Sequence, residues 1–397
     1  MPMRWAGLLA TLICLGCTEA HAPLDAAPPG GGDDASVAVD AGPPDAGPPP
    51  PRPRALDLLL AVDGSNSVGE EQYSFIAALP GLLEALSTGD WDGDGVADAE
   101  PFDSIHVGVV SSDMGTGGAT VPTCVEPMFG DDGVLENTGH PGVDGCQASY
   151  PRFLEHARGE DVATFALAAG CVASLGVTGC GFEQPLEGML KAVSPATPTA
   201  WTGPDYVPPV FFADTRGHGD DVNAGFVRAG SLLAVLMMTD EDDCSASDPR
   251  IFDPASSVYG HLDLSRRCGA EGALYPVGRY VDGLVALRAH PSQVAFFPIA
   301  GLPEDLEPAP GAAIDWAPIV GDPSVRDPRL VPTVDPEHPT RDLPSCNVAG
   351  RGVAFAPTRL LDVAHDLAAR GGRVGLGSVC RESFESSYAA FARLLLE

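Results

Sequence analysis

Lysine is almost absent: Lys191 is the only one in 397 residues. Lys plus Arg total 22 against 55 Asp plus Glu, a formal net charge of −33. A chain this acidic repels phosphate backbones and anionic headgroups, which excludes nucleic-acid binding through a basic face. Long apolar runs are missing too. The run over residues 8–15 is too short to span a bilayer as a helix, and the longest later one is Leu232–Met238. Zinc sites need CxxC pairs or clustered histidines, and none of the nine histidines forms HxH or HExxH. What remains is 44% hydrophobic residues, enough for a real core in one large domain or two ordinary ones.

The N-terminus reads as an export signal. Arg4 precedes the 8–15 run, and Gly16-Cys17 follows at once. Leu15-Gly16-Cys17 resembles the lipobox of bacterial lipoproteins, with Cys14 where that family prefers Leu. The resemblance implies cleavage after residue 16 and lipidation of Cys17. Residues 18–54 hold ten prolines among Gly, Ala and Asp, and offer no face that can pack. Proline-rich chain extends about 3.1 Å per residue, so this tether reaches roughly 100 Å. The expected organisation is a signal peptide over 1–16, lipidated Cys17 and tether over 17–54, and one folded domain over 55–397. The expected location is the bacterial cell envelope, outer membrane included, with membrane contact only through the lipid.

Eight cysteines fall in the folded part, an even number that favours disulfides in an exported chain. Spacing alone permits many connectivities. Pairing of sequence neighbours is the expectation: Cys124 with Cys146, Cys171 with Cys180, Cys244 with Cys268, and Cys346 with Cys380.

Hydrophobic periodicity suggests an alternation of strands and helices. Buried-strand runs occur at residues 58–62, 105–110, 232–238, 294–300 and 374–379, with Pro298 arguing against a regular interior strand in the fourth. Helical stripes carry Phe75, Leu79, Leu82 and Leu86, with a kink expected at Pro80. Others carry Leu186, Met189, Leu190 and Val193, then residues 360–369, then Tyr388, Phe391 and Leu395. The fold class expected is α/β, a doubly wound, mainly parallel sheet with helices on both faces. Long insertions over 114–160, 194–228 and 301–358 interrupt it.

In such sheets ligands bind at the carboxyl ends of strands. Asp63, Ser65 and Ser67 leave the first strand and Asp240 leaves the third, and their hard oxygens suit Mg²⁺, Mn²⁺ or Ca²⁺. Asp63-x-Ser65-x-Ser67 resembles the metal-ion-dependent adhesion site (MIDAS) of von Willebrand factor A (vWA) domains. The stretch 236–240 is similar to the strand and loop bearing that family's second acidic ligand. Thr178 occupies the place of the family's threonine before a helix. Residues 239–245 and 179–183 are similar to a group of exported bacterial lipoproteins with this domain. The resemblance implies a cation held by Asp63, Ser65, Ser67, Thr178 and Asp240, completed by an acidic residue of a partner. Glu241 stands where the family has Gly, and with Asp242 and Asp243 it shifts metal preference or makes the loop a second cation site.

Residues 90–98 carry a separate signal. Asp90, Asp92 and Asp94 alternate, Gly95 follows at the sixth position, Val96 offers a carbonyl at the seventh, and Asp98 stands at the ninth. This is the start of a calcium loop, with Pro101 where a twelve-residue loop has its bidentate Glu. Asp98 at the ninth position is similar to the short loops of thrombospondin type 3 and dockerin repeats.

Catalysis is not expected. Neither Ser65 nor Ser67 has the flanking glycines of G-x-S-x-G, and residue 65 is serine where an aspartyl phosphotransferase needs Asp. Two functions fit: an envelope-tethered, cation-dependent adhesion module for an acidic protein or glycan, or an envelope scaffold or sensor with a structural cation and recognition through the insertions.

Overall fold

The structure is a computed structural model that describes residues 50–349 and 352–397. The signal, Cys17 and the tether up to residue 49 lie outside the described residues.

Aliphatic runs bounded by turn residues become strands. In chain order the elements are β1 (Ala55–Val62), α1 (Gly69–Thr88), β2 (Ser104–Ser111), β3 (Leu154–Ala157), α2 (Val162–Ala173), α3 (Pro185–Val193) and β4 (Leu232–Met238). They continue with α4 (Gly278–Ala286), β5 (Val294–Ala300), α5 (Ala317–Val320), β6 (Cys346–Val348) and β7 (Gly352–Ala354). The last are α6 (Thr358–Ala369), β8 (Arg373–Val374), β9 (Gly377–Ser378) and α7 (Glu385–Leu396). The main sheet is mixed and mostly parallel, ordered β3-β2-β1-β4-β5-β8 with β9 also on β5, and only β3 runs antiparallel.

Apolar residues alternate along β1 between two hydrophobic groups, as the period of two requires. Leu58 and Leu60 pack in one group with Phe75 and Leu79 of α1 and Phe391 of α7. Leu59 and Ala61 pack in the other with Leu190 of α3, Tyr280 of α4 and Leu367 of α6. The register sets Val62 of β1 beside Ser111 of β2 and Met238 of β4, so three central strands end at one level.

Helix α1 continues through Pro80, which sits at an exposed position, so the proline does not end it. Other expectations need correction. Pro298 lies inside β5, because the outer neighbour of that strand is broken there. The carbonyls of Phe296 and Ala300 accept from Gly375 and Val379, so Pro298 faces the same side, in the gap between β8 and β9. The single strand expected over 374–379 is therefore two short ones. Helix α2 was not legible as a stripe: it is Ala-rich and apolar nearly all round, and Asp161 caps it by accepting from the Ala163 and Thr164 N–H groups.

Two of the four disulfides also differ. Cys244–Cys268 and Cys346–Cys380 join as expected, but the other bonds are Cys124–Cys180 and Cys146–Cys171, one nested within the other. Helix α2 is the reason. It carries Cys171 back beside residues 140–146, where His140 N–H donates to the Cys171 carbonyl, and Cys180 is left to meet Cys124. Loop-closure entropy grows only slowly with length, so the longer bridge is little dearer than the short one spacing suggested.

Candidate functional site

The aligned strand ends bring Asp63, Ser112 and Thr239 out of the sheet together. Asp63 is buried, 1% exposed. Its Oδ1 accepts the Ser65 N–H at 2.8 Å and the Ser112 hydroxyl at 3.4 Å, and its Oδ2 accepts the Thr239 hydroxyl at 2.7 Å. Burial raises its carboxyl above the ordinary range, opposed by the Ser65 and Thr239 hydrogen bonds. Ser65 Oγ lies 3.1 Å from Ser67 Oγ, and Ser67 donates to Asp240 Oδ1 at 3.1 Å. Four of the five expected ligands thus form one connected group, although 173 residues separate Ser67 from Asp240.

Thr178 is exposed, on a loop pinned beside that group. Gly179 N–H donates to the Gly64 carbonyl at 2.8 Å, an approach that requires glycine because a Cβ at 179 would sit 2.8 Å from that same oxygen. Cys180 N–H donates to Asp113 Oδ2 at 3.1 Å, and Gln184 N–H to the Ser112 carbonyl at 2.8 Å. No hydrogen bond joins Thr178 itself to Asp63 or Asp240 among the described residues.

The surroundings are strongly acidic. Burial and the Asp63 and Glu241 charges push Asp240 up to about 8, and burial with Asp63 pushes Glu241 up to about 7. Glu183, 3% exposed, is raised well above the usual range by burial, Glu241 and Asp63. No Lys, Arg or His side chain bonds to Asp63 or Asp240 among the described residues. The donor set is all oxygen, two carboxylates and hydroxyls facing one another, and this fits a hard divalent cation.

Sequence reasoning assigned no role to Glu183, Thr239, Ser112 or Gln72. Asp242 and Asp243, in the acidic loop after β4, are engaged with the starts of helices. Asp242 accepts the Thr358 hydroxyl at 2.5 Å and the Arg359 N–H at 3.0 Å at the start of α6. Asp243 accepts from Leu186 N–H at 3.1 Å and pairs with Arg359 Nε at 3.0 Å. Both carboxylates tie helix starts to the β4 loop.

The second acidic feature is local. Asp90, Asp92 and Asp98 each place a carboxylate oxygen within 4.8 Å of the others. Asp90 accepts the Gly93 and Gly95 N–H groups at 2.7 and 2.8 Å, and both glycines have positive φ (75° and 87°). Asp94 instead accepts the Val96 N–H at 2.8 Å, and Asp98 accepts that of Trp91 at 3.1 Å. Although Asp92 accepts the Asp94 N–H, partial desolvation and the charges of Asp94, Asp98 and Asp90 raise its carboxyl.

No protein-family model matches the chain, and no curated protein matches it. Among the described residues no helix is long and apolar enough to cross a membrane.

Proposed function

We propose that the chain is an envelope-tethered binding module of the vWA type, in which a divalent cation joins the carboxyl ends of β1 and β4 and an acidic group of a protein or glycan completes it. The doubly wound form of that fold is supported by the split of β1 side chains between two hydrophobic groups with different helices. The observation that carries the reading is the Ser65–Ser67–Asp240 chain of contacts beside buried Asp63, drawn from strands far apart in sequence. Asp63, Ser65, Ser67, Thr178 and Asp240 would hold Mg²⁺, or Mn²⁺ or Ca²⁺. When bound, the cation supplies an open position at which a carboxylate displaces water.

Calorimetric titration of Mg²⁺, Mn²⁺ and Ca²⁺ tests this on the full chain carrying Asp92→Ala and Asp94→Ala, which silences the second loop. Binding that disappears with Asp63→Asn is expected; equal binding in both proteins overturns the reading. Anchoring through Cys17 is part of the proposal, and Cys17→Ser should move the protein to the soluble fraction. A mutant that still pellets with membranes after a salt wash rejects the anchor.

The scaffold reading draws on apolar side chains exposed in the insertions, Val125, Met128, Val207, Val331 and Leu343. It expects partner binding to survive EDTA, where the adhesion reading expects its loss.

A further inference from the structure

Thr178 comes from a loop that no strand register controls, yet the loop is pinned on both sides of it. On one side is the Gly179 contact with Gly64. On the other is Gln72, a 5%-exposed side chain in the first turn of α1, whose own N–H makes that helix's first bond to the Val68 carbonyl. The Gln72 amide pairs with both backbone groups of Gly176: Nε2 donates to the carbonyl at 3.1 Å, and Oε1 accepts the N–H at 2.9 Å. The same Nε2 donates to the Asp63 carbonyl at 2.9 Å. One side chain therefore stitches together the end of β1, the start of α1 and the loop two residues before Thr178.

We infer that Gln72 is a positioning residue of the cation site, holding Thr178 in line with Asp63, Ser65 and Ser67 by clamping Gly176 to the end of β1. The inference rests on the cation reading above. A glutamine is suited to the task because a carboxamide both donates and accepts, matching an N–H and a C=O at once. A carboxylate there offers no donor for the Gly176 and Asp63 carbonyls, and an aliphatic side chain leaves three backbone groups without partners. Without the clamp the loop keeps its Gly179 and Cys180 ties but loses its fixed distance from the β1 turn. Asp63 keeps its carboxylate bonds to Ser65, Ser112 and Thr239 when Gln72 is lost, so the loss should fall on cation affinity mainly through Thr178.

The test is a double-mutant cycle by Mn²⁺ calorimetry on the full chain in the Asp92→Ala, Asp94→Ala background. Gln72→Leu and Thr178→Ala are each expected to weaken Mn²⁺ binding about tenfold, the scale of one or two lost hydrogen bonds. Their combination should be no more than about twofold weaker than either alone. Unchanged affinity in Gln72→Leu, or losses that multiply in the double variant, overturns the inference, since a merely structural role gives independent effects. Amide exchange by NMR needs no Gln72 variant: Mg²⁺ should slow exchange of the Gly176 N–H in the otherwise wild-type background and not in Thr178→Ala. Equal slowing in both overturns the inference as well. Asp63→Asn is the separate control. If it binds Mn²⁺ as well as the parent, the cation reading itself fails, whatever Gln72 does.

Discussion

Two clusters of side-chain oxygens in this molecule are built in opposite ways. The 90–98 loop gathers its carboxylates from nine consecutive residues, largely exposed, and folds them with its own backbone N–H groups and two positive-φ glycines. The Asp63 site gathers its groups from strand ends and a loop far apart in sequence, buries Asp63, Ser65 and Asp240 while leaving Ser67 and Thr178 exposed, and depends on sheet register, Gln72 and the disulfide-tied loop at Cys180. A contiguous loop changes only its own neighbourhood when altered. A site assembled from distant segments inherits every fault in the fold around it, but its buried charges interact more strongly.

The sharpest test of that contrast is the Cys124–Cys180 bridge. Cys124→Ala with Cys180→Ala opens a 56-residue separation, and chain entropy predicts a loss of about 4 kcal/mol in denaturant unfolding. Cation binding at the Asp63 site should weaken in the same protein while any calcium response of the 90–98 loop persists. Loss of both responses together would erase the distinction. Mass spectrometry of a non-reduced digest should find 124 joined to 180 and 146 to 171.

Next in size is Asp63→Asn. Since Asp63 is buried and holds Ser65, Ser112 and Thr239, it is not the solvent-facing edge residue its turn position suggests. The amide keeps the shape and removes a charge from a crowd of carboxylates. Without divalent cation the variant should melt at or above wild type. It should forfeit the stabilisation that Mg²⁺ gives wild type, about 2.7 kcal/mol at one hundred times Kd. A variant that still gains stability from Mg²⁺ with the 90–98 loop silenced would assign the effect elsewhere.

Glu136 serves as a half-buried carboxyl outside both clusters. Burial, with the Asp131 charge adding and Arg152 opposing, pushes it up to about 7. A group raised in the folded state contributes stability that is full below its unfolded pKa and is lost as pH rises through about 7. Glu136→Gln should therefore flatten the stability profile between about pH 4.5 and 7, by about 1–2 kcal/mol. Saturating Mg²⁺ should not alter that difference. A Mg²⁺-dependent change would mean the two regions are coupled.

The smallest effect belongs to the exposed loop. Asp92→Ala with Asp94→Ala should remove a calcium-specific gain in melting temperature worth less than about 1 kcal/mol and leave Mg²⁺ binding at Asp63 intact. An unchanged calcium response would return residues 90–98 to solvated surface.

Legibility followed the same division. Strands β1, β2, β4 and β5 were readable because each is a continuous apolar run closed by turn residues, and Asp63, Ser65, Ser67 and Asp240 were readable because they stand immediately after such runs. The 90–98 turn was readable because its spacing and glycines are local. Helix α2 was not, since an Ala-rich segment without a polar face carries no period, and the Cys124 and Cys146 partners were lost with it.

By itself, then, the sequence determined which central segments are strands, where they stop, and which oxygen-bearing side chains stand at those stops, because backbone preference and burial act over a few neighbouring residues. Only the tertiary structure decided that Val62, Ser111 and Met238 end side by side, that Asp242 and Asp243 hold helix starts, and that Gln72 reaches Gly176. Those depend on register and on packing between segments far apart in sequence, where the loop-closure cost of one pairing differs little from that of its competitors and side-chain fit in three dimensions makes the choice.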